Sequence, residues 1–257
     1  MIRLKEKLYN KELTVGSWIS LAHPAIAEIM AKAGFAWLTV DLEHSVITIR
    51  EAEELIRVID LCGVVPLVRL SANDPVQIKR VMDAGAHGVI VPMVNTAEDA
   101  LRAVEAVRYP AEGKRGVGLA RAQGYGSSFE KYKKWVNRES IVIVQVEHIK
   151  AVENLDAIMS VEGVDGFIVG PYDLSGSLGV PGQFENRLMK AAMNSIKDFI
   201  KSSSKVAGIH VVEPDVIQLQ ERIKEGYKFL AYSLDIRMLD NICRSAMDSL
   251  KHLYPNA

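Results

Sequence analysis

The chain has 257 residues, of which 49% are hydrophobic and 25% are charged, and its formal net charge is −1 at pH 7. This composition is typical of a globular protein, and a net charge near zero excludes strong long-range attraction to nucleic acid or to an anionic membrane. No apolar run reaches the roughly 18 residues of a membrane span, and the polar N-terminus lacks the apolar core of a signal peptide. We therefore expect a cytoplasmic protein with no nucleic-acid or membrane partner.

Eight short apolar segments rich in β-branched residues recur along the chain. In order, they are residues 15–21, 37–44, 64–70, 88–94, 141–148, 166–170, 205–212 and 228–235. Amphipathic segments with helical spacing lie between them, for example 48–63, 74–86 and 213–226. Apolar strands separated by helices indicate a parallel sheet covered by helices. Eight such units predict an α/β protein, a (β/α)8 TIM barrel that forms a single domain over residues 1–257.

Two segments stand outside this alternation. Residues 110–139 form a long irregular stretch with a short helix near its end, and a loop of this length is usually functional or an interface. The last helix, over residues 236–254, is strongly amphipathic, so it either closes its own barrel or packs on a neighbouring copy. Cys62 and Cys243 lie in helical patterns far apart in sequence, and we expect both to be reduced residues of the core.

Polar residues collect at the predicted carboxyl ends of the strands, where the active sites of such barrels form. They are Asp41, Glu43, His44, Arg69, Gln145, Glu147, Asp173 and Asp235. Gln145 and Glu147 are two residues apart on one strand, so their side chains share a face. Glu147 and Asp173 end adjacent strands, and two such close carboxylates repel unless a proton or a cation lies between them. A hard divalent ion held by the two carboxylates and by water explains the pair most simply.

Structural explanations of these residues stay open at this point. Asp173 and Asp235 each precede a helix and suit its N-cap. Asp41 and His44 suit a local hydrogen-bonded pair, and Arg69 suits an ion pair with a carboxylate. Glu147 suits a solvated strand end.

The remaining histidines and two absences narrow the chemistry. His23 is expected near the mouth, where it contacts substrate, and His87 at the opposite face, while His148 points away from Glu147 and His252 lies in the terminal helix. No lysine lies inside a strand on the mouth side, which disfavours a Schiff-base mechanism. The loops after strands 7 and 8 lack a Gly-rich phosphate cradle, which disfavours a phosphorylated substrate.

The strings at these strand ends resemble the HpcH/HpaI aldolases, also called the 2,4-dihydroxyhept-2-ene-1,7-dioate aldolase family. They are "DLEH", "VVPLVRLSANDPVQIKRVMDAGAHGVIVPMV", "YPAEGKRGVG", "VQVE" and "VEGVDGFIVGPYDLSGSLG". The similarity covers almost the whole chain, and "GVDGFIVGPYDLS" with its upstream glutamate is its most specific part. The resemblance implies a (β/α)8 barrel whose last helix is swapped between subunits of a hexamer. It also implies class II, metal-dependent aldol chemistry on pyruvate.

The same resemblance implies a role for each matching residue. Glu147 and Asp173 match the ligands of a divalent cation such as Mg²⁺, Mn²⁺ or Co²⁺. Arg69 matches the arginine that binds the pyruvate carbonyl oxygen. His44 and Asp41 match a base dyad.

Substrate-binding positions are implied in the same way. Gln145 matches a residue near the metal and pyruvate. Gly170 and Pro171, with the following backbone at Tyr172 and Asp173, match the turn that holds the pyruvate carboxylate. The implied reaction is reversible cleavage of a 4-hydroxy-2-oxo acid to pyruvate and an aldehyde.

Three departures from the family pattern surround the aldehyde. The loop at 116–126 is shorter than usual, residues 182–193 lack the usual His-Pro, and His23 is unexpected at its position. We therefore expect His23 and the loops 116–126 and 176–186 to meet the aldehyde. Arg121 then either pairs with a carboxylate of the aldehyde or is a surface or interface arginine, and Asp83 is expected near a neighbour's mouth.

Two other functions are compatible with the sequence. One is a different carbon–carbon reaction of the same enolate, such as citrate formation from an oxaloacetate-type substrate. The other is a non-catalytic barrel that binds a metabolite. Neither the aldehyde, nor the stereochemistry, nor the preferred metal is determined by the sequence.

Overall fold

The computed structural model describes residues 4–251 and 253, so His252 lies outside the described residues. Eight parallel strands form a closed barrel in which each strand pairs with the next and β8 pairs with β1. The strands are β1 Thr14–Ile19, β2 Trp37–Asp41, β3 Val65–Arg69, β4 Gly88–Val91, β5 Ile141–Val146, β6 Gly166–Val169, β7 Val206–Val211 and β8 Phe229–Leu234. The predicted (β/α)8 barrel is confirmed, with seven strands inside the apolar segments that predicted them and β1 starting one residue before its segment.

Helices cover the outside of the barrel and connect its strands. They are α1 Leu4–Tyr9, α2 Pro24–Lys32, α3 Ile49–Leu61, α4 Pro75–Ala84, α5 Ala97–Val107, α6 Phe129–Glu139, α7 Ile149–Glu153, α8 Leu155–Met159, α9 Pro171–Ser177, α10 Arg187–Ser202, α11 Val216–Lys224 and α12 Asp235–Leu250. In the described range 4–251 and 253, no helix is both long enough and apolar enough to cross a membrane.

Local sequence signals determine several helix boundaries. Thr48 forms a capping box with Glu51 at the start of α3, which satisfies backbone N–H groups that have no partner in the first turn. Asp74 caps α4 ahead of Pro75, at the start of the predicted segment 74–86. The cap of α11 is Asp215, so this helix starts later than the predicted segment 213–226.

The interior of the barrel is filled by large apolar side chains. Trp37 stacks on Phe229 with ring centroids 4.1 Å apart and meets Trp18 edge to face. Gly16 makes room for this packing, because a Cβ at that position would lie 2.0 Å from the Trp37 ring. A second core of apolar residues lies between the outer faces of the strands and the helices. The barrel is thus a packed support for the residues at its mouth.

The two cysteines are free but exposed. The prediction that they belong to the core is wrong. Cys62 ends α3, where it forms the C-cap and its side chain leaves the packed face. Cys243 lies on α12, a helix in which Asp235 is the only buried position among the described residues.

Several apolar residues of α12 are exposed in the single chain. They are Ile236, Leu239, Ile242, Met247 and Leu250. A helix with an apolar stripe normally buries that stripe against another element. This stripe is not buried within the described chain, and packing of α12 on a neighbouring copy stays a prediction.

Candidate active site

A cavity of about 350 Å³ opens at the carboxyl ends of the strands. Its lining includes most of the polar residues that the sequence placed at the mouth, and it also includes apolar residues of β6, β7 and β8. The lining residues are Trp18, Asp41, His44, Arg69, Gln145, Glu147, Ile168, Val169, Gly170, Pro171, Tyr172, Asp173, His210, Val212 and Leu234. This cavity brings all nine predicted site residues together.

Arg69 is fixed at the base of the cavity by Asp41. Its Nε donates to Asp41 Oδ1 at 2.8 Å and its Nη2 donates to Asp41 Oδ2 at 2.6 Å. The guanidinium also lies over the Trp18 ring, with Cζ 4.4 Å from the ring centroid. A bidentate pair of this kind fixes both position and plane of the guanidinium. Arg69 therefore presents its remaining surface to the cavity in one orientation.

A chain of hydrogen bonds connects Arg69 to the carboxylates of the next strands. Glu43 Oε2 lies 3.4 Å from Arg69 Nη1 and accepts a hydrogen bond from Gln145 Nε2 at 3.0 Å. The same amide donates to Glu147 Oε2 at 2.7 Å. Glu147 Oε1 accepts from the Met93 backbone N–H at 2.7 Å. Gln145 thus holds two carboxylates close together from its buried position between them.

Asp173 reaches the same place from the first turn of α9. A Cβ added to Gly170 would lie 3.2 Å from Glu147 Oε2 and 4.0 Å from Asp173 Oδ2, so the two carboxylates flank this glycine. Gly170 and Pro171 begin α9, and the first turn of a helix has free backbone N–H groups. The turn 170–173 therefore offers both carboxylate oxygens and amide donors to the cavity.

The pKa values of Glu147 and Glu43 are shifted in the opposite direction to that of Asp41. Burial raises the pKa of Glu147 to about 7, and the negative charges of Glu43 and Asp173 add to this effect. Burial also raises the pKa of Glu43, although Arg69 and Gln145 oppose the shift. Burial acts in the same direction on Asp41, but the hydrogen bonds and charge of Arg69 outweigh it and lower its pKa. The cavity thus holds more negative charge than Arg69 alone compensates.

His44 stands at the rim with 60% of its side chain exposed. Its Nε2 lies 3.8 Å from Glu43 Oε2. Its link to Asp41 is a hydrogen bond of 3.3 Å from the His44 backbone N–H to Asp41 Oδ1. The Asp41 carboxylate therefore orients the backbone of residue 44 and the Arg69 side chain at once.

Asp235, in contrast to the residues that line the cavity, has a structural role. Its two oxygens accept hydrogen bonds from the backbone N–H groups of Ser20, Leu21 and Ile236 and from the Ser20 hydroxyl, at 2.6 to 3.0 Å. It ties the end of β8 to the loop after β1 and starts α12. The prediction that Asp235 is the N-cap of this helix is wrong, because Leu234 is the N-cap and Asp235 is the first helical residue. Its role is nevertheless structural.

The predicted contacts of the aldehyde rim are not formed by this chain's own loop 116–126. Arg121 Nη2 donates to Asp60 at 2.6 Å and its Nη1 donates to the Ala84 carbonyl at 3.3 Å. Asp60 and Ala84 lie in the last turns of α3 and α4, at the face of the barrel opposite the mouth. Of the two alternatives for Arg121, pairing with an aldehyde carboxylate does not occur at the mouth of the same chain, because the loop folds down along α3 and α4. Asp83 lies beside it and accepts from Gln123 Nε2 at 3.2 Å.

Three further histidines have local roles. His23 caps α2 by accepting from the Ala25 backbone N–H at 3.2 Å, and His148 caps α7 in the same way. His87 lies beside Asp60 and Trp135 at the opposite face, as predicted. His23 is not among the residues that line the mouth cavity.

Sequence reasoning missed Trp18 and His210, which both line the cavity. Their rings pack edge to face with centroids 5.4 Å apart. The sequence contained a signal for His210, because it lies two residues after Gly208 on β7 and shares a face with it. A Cβ at Gly208 would meet the Phe229 backbone. A polar residue in phase with such a glycine faces inward.

The donor set of the cavity suits a hard cation. Within residues 4–251 and 253, no three His, Cys, Asp or Glu side chains are arranged to enclose a metal ion. Glu147 and Asp173 nevertheless flank one point with oxygen atoms, in a cavity with excess negative charge. Mg²⁺ is commonly held by one or two carboxylates while water and substrate complete its shell. The residues present therefore fit a divalent cation bound by two protein ligands.

Comparison with known proteins assigns the family. The family described as HpcH/HpaI aldolase/citrate lyase matches residues 14–241. The chain belongs to this family. The sequence-based assignment to the HpcH/HpaI aldolases is thereby confirmed.

Similar members of the HpcH/HpaI family cover nearly the whole chain. A hydroxypyruvate/pyruvate aldolase from Roseobacter denitrificans is 39% identical over 94% of this chain and 94% of its own length. A 2-keto-3-deoxy-L-rhamnonate aldolase from Escherichia coli K12 is 37% identical over 90% of this chain and 86% of its own length. The crystal structure of a family protein from Burkholderia cenocepacia has 32% identity and a TM-score of 0.91, covering 96% of this chain and 98% of that one.

Proposed function

We propose that this protein is a class II, metal-dependent pyruvate aldolase. The reaction is the reversible cleavage of a 4-hydroxy-2-oxo acid to pyruvate and an aldehyde. The observation that carries the proposal is the mouth cavity, where a fixed arginine faces a cluster of carboxylates that it does not neutralise. The aldolase names of the similar family members support the same reaction.

Arg69 stabilises the charge that forms on the donor. Cleavage leaves an enolate whose negative charge develops on the former carbonyl oxygen of the 2-oxo acid. A guanidinium already oriented by Asp41 and Trp18 needs no reorganisation to meet that charge. Removing one such preorganised donor typically costs about 10²–10³ in rate.

Glu147 and Asp173 would hold the divalent cation, and Gln145 keeps Glu147 in place. When bound, such a cation acts as a Lewis acid on the oxygen of the 2-oxo acid. We favour Mg²⁺, Mn²⁺ or Co²⁺, because every ligand offered here is a hard oxygen donor. The Gly170 N–H donates to the Val146 carbonyl at 3.2 Å, so the first turn of α9 supplies its free backbone N–H groups at Tyr172 and Asp173 for the substrate carboxylate.

His44 is the general base in this proposal. It is exposed at the rim, where it can take the proton from the 4-hydroxyl group during cleavage and return it during addition. Asp41 supports it through the backbone of residue 44, and Glu43 lies beside the ring. The assignment of His44, Asp41 and Arg69 as the catalytic residues rests on these positions.

We also propose that the protein is a homo-oligomer, a hexamer with α12 packed on a neighbouring copy. The exposed apolar residues of α12 support this, because a second copy would bury them. A cytoplasmic location fits the two free cysteines. Light scattering at micromolar concentration tests the assembly, and a monomer would contradict it.

The activity is tested with a panel of aldehydes and pyruvate in the presence of Mg²⁺, Mn²⁺ or Co²⁺. Products are identified by mass spectrometry. We expect metal-dependent formation of 4-hydroxy-2-oxo acids. Citrate-type products from oxaloacetate alone would favour a different reaction of the same enolate, and binding without turnover would indicate a non-catalytic barrel.

A further inference from the structure

His210 occupies a distinct wall of the mouth cavity. It projects from β7 beside Val212, and Leu234 from β8 and Trp18 from β1 complete the same wall. These neighbours are apolar or aromatic, whereas the carboxylates and the turn at Gly170 belong to β5 and β6. The imidazole is thus the polar group of a wall whose other members are apolar or aromatic, and this wall adjoins the donor site at Trp18, which lies against Arg69.

The imidazole is held in one orientation. Its Nε2 lies 3.2 Å from the Ser233 carbonyl oxygen. A carbonyl oxygen only accepts hydrogen bonds, so Nε2 carries the proton and Nδ1 keeps its lone pair. The edge of the ring packs on Trp18 at 5.4 Å.

Ser233 itself is fixed, which makes the support of the ring rigid. Its backbone has a left-handed conformation, with φ of 50°, which is uncommon for a residue with a side chain. Its carbonyl also accepts from Ser17 Oγ at 3.2 Å, and its own hydroxyl donates to the Val212 carbonyl at 2.9 Å. The direction of the His210 lone pair is therefore set by three strands.

The ring is neutral and its second nitrogen is free. Burial lowers the pKa of His210 to about 3, and the positive charge of Arg69 contributes to this. No donor among residues 4–251 and 253 forms a hydrogen bond to Nδ1. Nδ1 is also absent from the fully buried polar atoms that lack a partner, so it is not sealed inside the protein. His210 lines the mouth cavity and is not fully buried, which leaves Nδ1 available to a ligand there.

We propose that His210 Nδ1 accepts a hydrogen bond from a hydroxyl group of the aldehyde, so that the enzyme favours 2-hydroxyaldehydes over their deoxy analogues. This assignment rests on the proposed aldolase function. A neutral acceptor in an apolar wall gives such discrimination, because the deoxy analogue leaves the acceptor without a partner. An alkyl side chain at this position has no acceptor for the hydroxyl group, so it would not distinguish the two aldehydes.

The test compares glycolaldehyde with acetaldehyde as acceptors for pyruvate in wild type, His210→Leu and His210→Asn. The readout is the ratio of the two kcat/KM values. We expect His210→Leu to lower the preference for glycolaldehyde by about 10-fold. His210→Asn, whose amide oxygen is an acceptor close to the Nδ1 position, is expected to keep the preference within about threefold of wild type.

Two controls separate this role from others. Exchange of pyruvate methyl protons in deuterated water needs no aldehyde, and it is expected to stay within about twofold of wild type in both variants. Equal losses in His210→Leu with both aldehydes and in the exchange would overturn the proposal, since His210 would then only support Trp18 and Arg69. A changed preference between hydroxypyruvate and pyruvate as donors, with the aldehyde ratio intact, would overturn it as well.

A failure of the proposed function has a different signature. In that case wild type would form no aldol product with any aldehyde, and the assignment of His210 would fall with it. If wild type is active but shows the same hydroxyl preference as His210→Leu, the aldolase function stands and only the role of His210 is overturned.

Discussion

Glu147 and Asp235 both follow an apolar barrel strand, yet the two carboxylates have opposite surroundings. Asp235 accepts hydrogen bonds from three backbone N–H groups and one hydroxyl. Glu147 accepts from one backbone N–H and one amide, and it also faces the charges of Glu43 and Asp173. The first arrangement satisfies a carboxylate completely. The second leaves excess negative charge that a bound cation would neutralise.

A carboxylate at the end of a strand is therefore not functional by its position alone. What distinguishes the two is the number of donors that the chain supplies to each. Asp235 stabilises the closure of the barrel between β8 and β1, whereas the carboxylates after β5 and β6 are left available for a ligand. Substitutions at the two ends are therefore expected to separate stability from activity.

The largest effect is expected at the carboxylates after β5 and β6. Glu147→Gln keeps the size of the side chain but removes the charge and one of its two acceptor oxygens, so the divalent cation loses a ligand and aldol activity falls by more than about 10³. Isothermal titration with Mn²⁺ is expected to show weakened binding, with Asp173→Asn behaving alike. Full activity of wild type in excess chelator, or a lysine adduct trapped by borohydride, would contradict the metal-dependent mechanism.

His44→Ala is expected to slow cleavage by about 10²–10⁴, the usual range for a positioned general base. Binding of pyruvate and of the metal should change much less, because the ring lies at the rim. Steady-state kinetics and titration calorimetry measure the two quantities. Near-normal turnover of His44→Ala would place the base elsewhere.

Arg69→Lys tests the positively charged group that faces these carboxylates. Lysine keeps the positive charge but cannot form the bidentate pair with Asp41, so kcat for cleavage is expected to fall by about 10²–10³. Arg57→Lys, at a half-exposed ion pair on α3, is the matched control and should leave kcat unchanged. Equal behaviour of the two variants would show that the fixed guanidinium has no special role.

Asp235→Asn is expected to act on stability. Asparagine keeps one acceptor oxygen but loses the charge that four donors surround, which costs about 1–3 kcal/mol of unfolding free energy. Thermal and urea unfolding measure the loss, and kcat of the folded variant should stay within a few-fold of wild type. A catalytic defect without a loss of stability would move Asp235 into the active site.

The sequence predicted the strands and the mouth residues well, for a clear physical reason. Buried parallel strands are continuous apolar runs, and polar residues at their ends must converge in a closed barrel. The position of Arg121 stayed open because strand order says nothing about where a 30-residue loop folds back, and the structure directs it to Asp60. Cys62 and Cys243 were misjudged because helical spacing alone does not show which helix face is covered.

His210 was missed for a different reason. Its inward direction follows from strand alternation, but its neutral state depends on burial and on Arg69, which lies on a strand far away in sequence. The pairing of Asp41 with Arg69 across β2 and β3 likewise needs the register of the closed barrel. The identity of the partner in each of these contacts becomes visible only in three dimensions.

Exchange of the pyruvate methyl protons in deuterated water, followed by NMR with Mg²⁺ present, tests the central comparison most directly. It isolates enolate formation from the choice of aldehyde. We predict exchange in wild type and in folded Asp235→Asn, and its loss in Glu147→Gln and in wild type with excess chelator. Persistent exchange in Glu147→Gln, or equal loss in Asp235→Asn at a temperature where it is folded, would contradict the assignment of the carboxylates after β5 and β6 as the metal site.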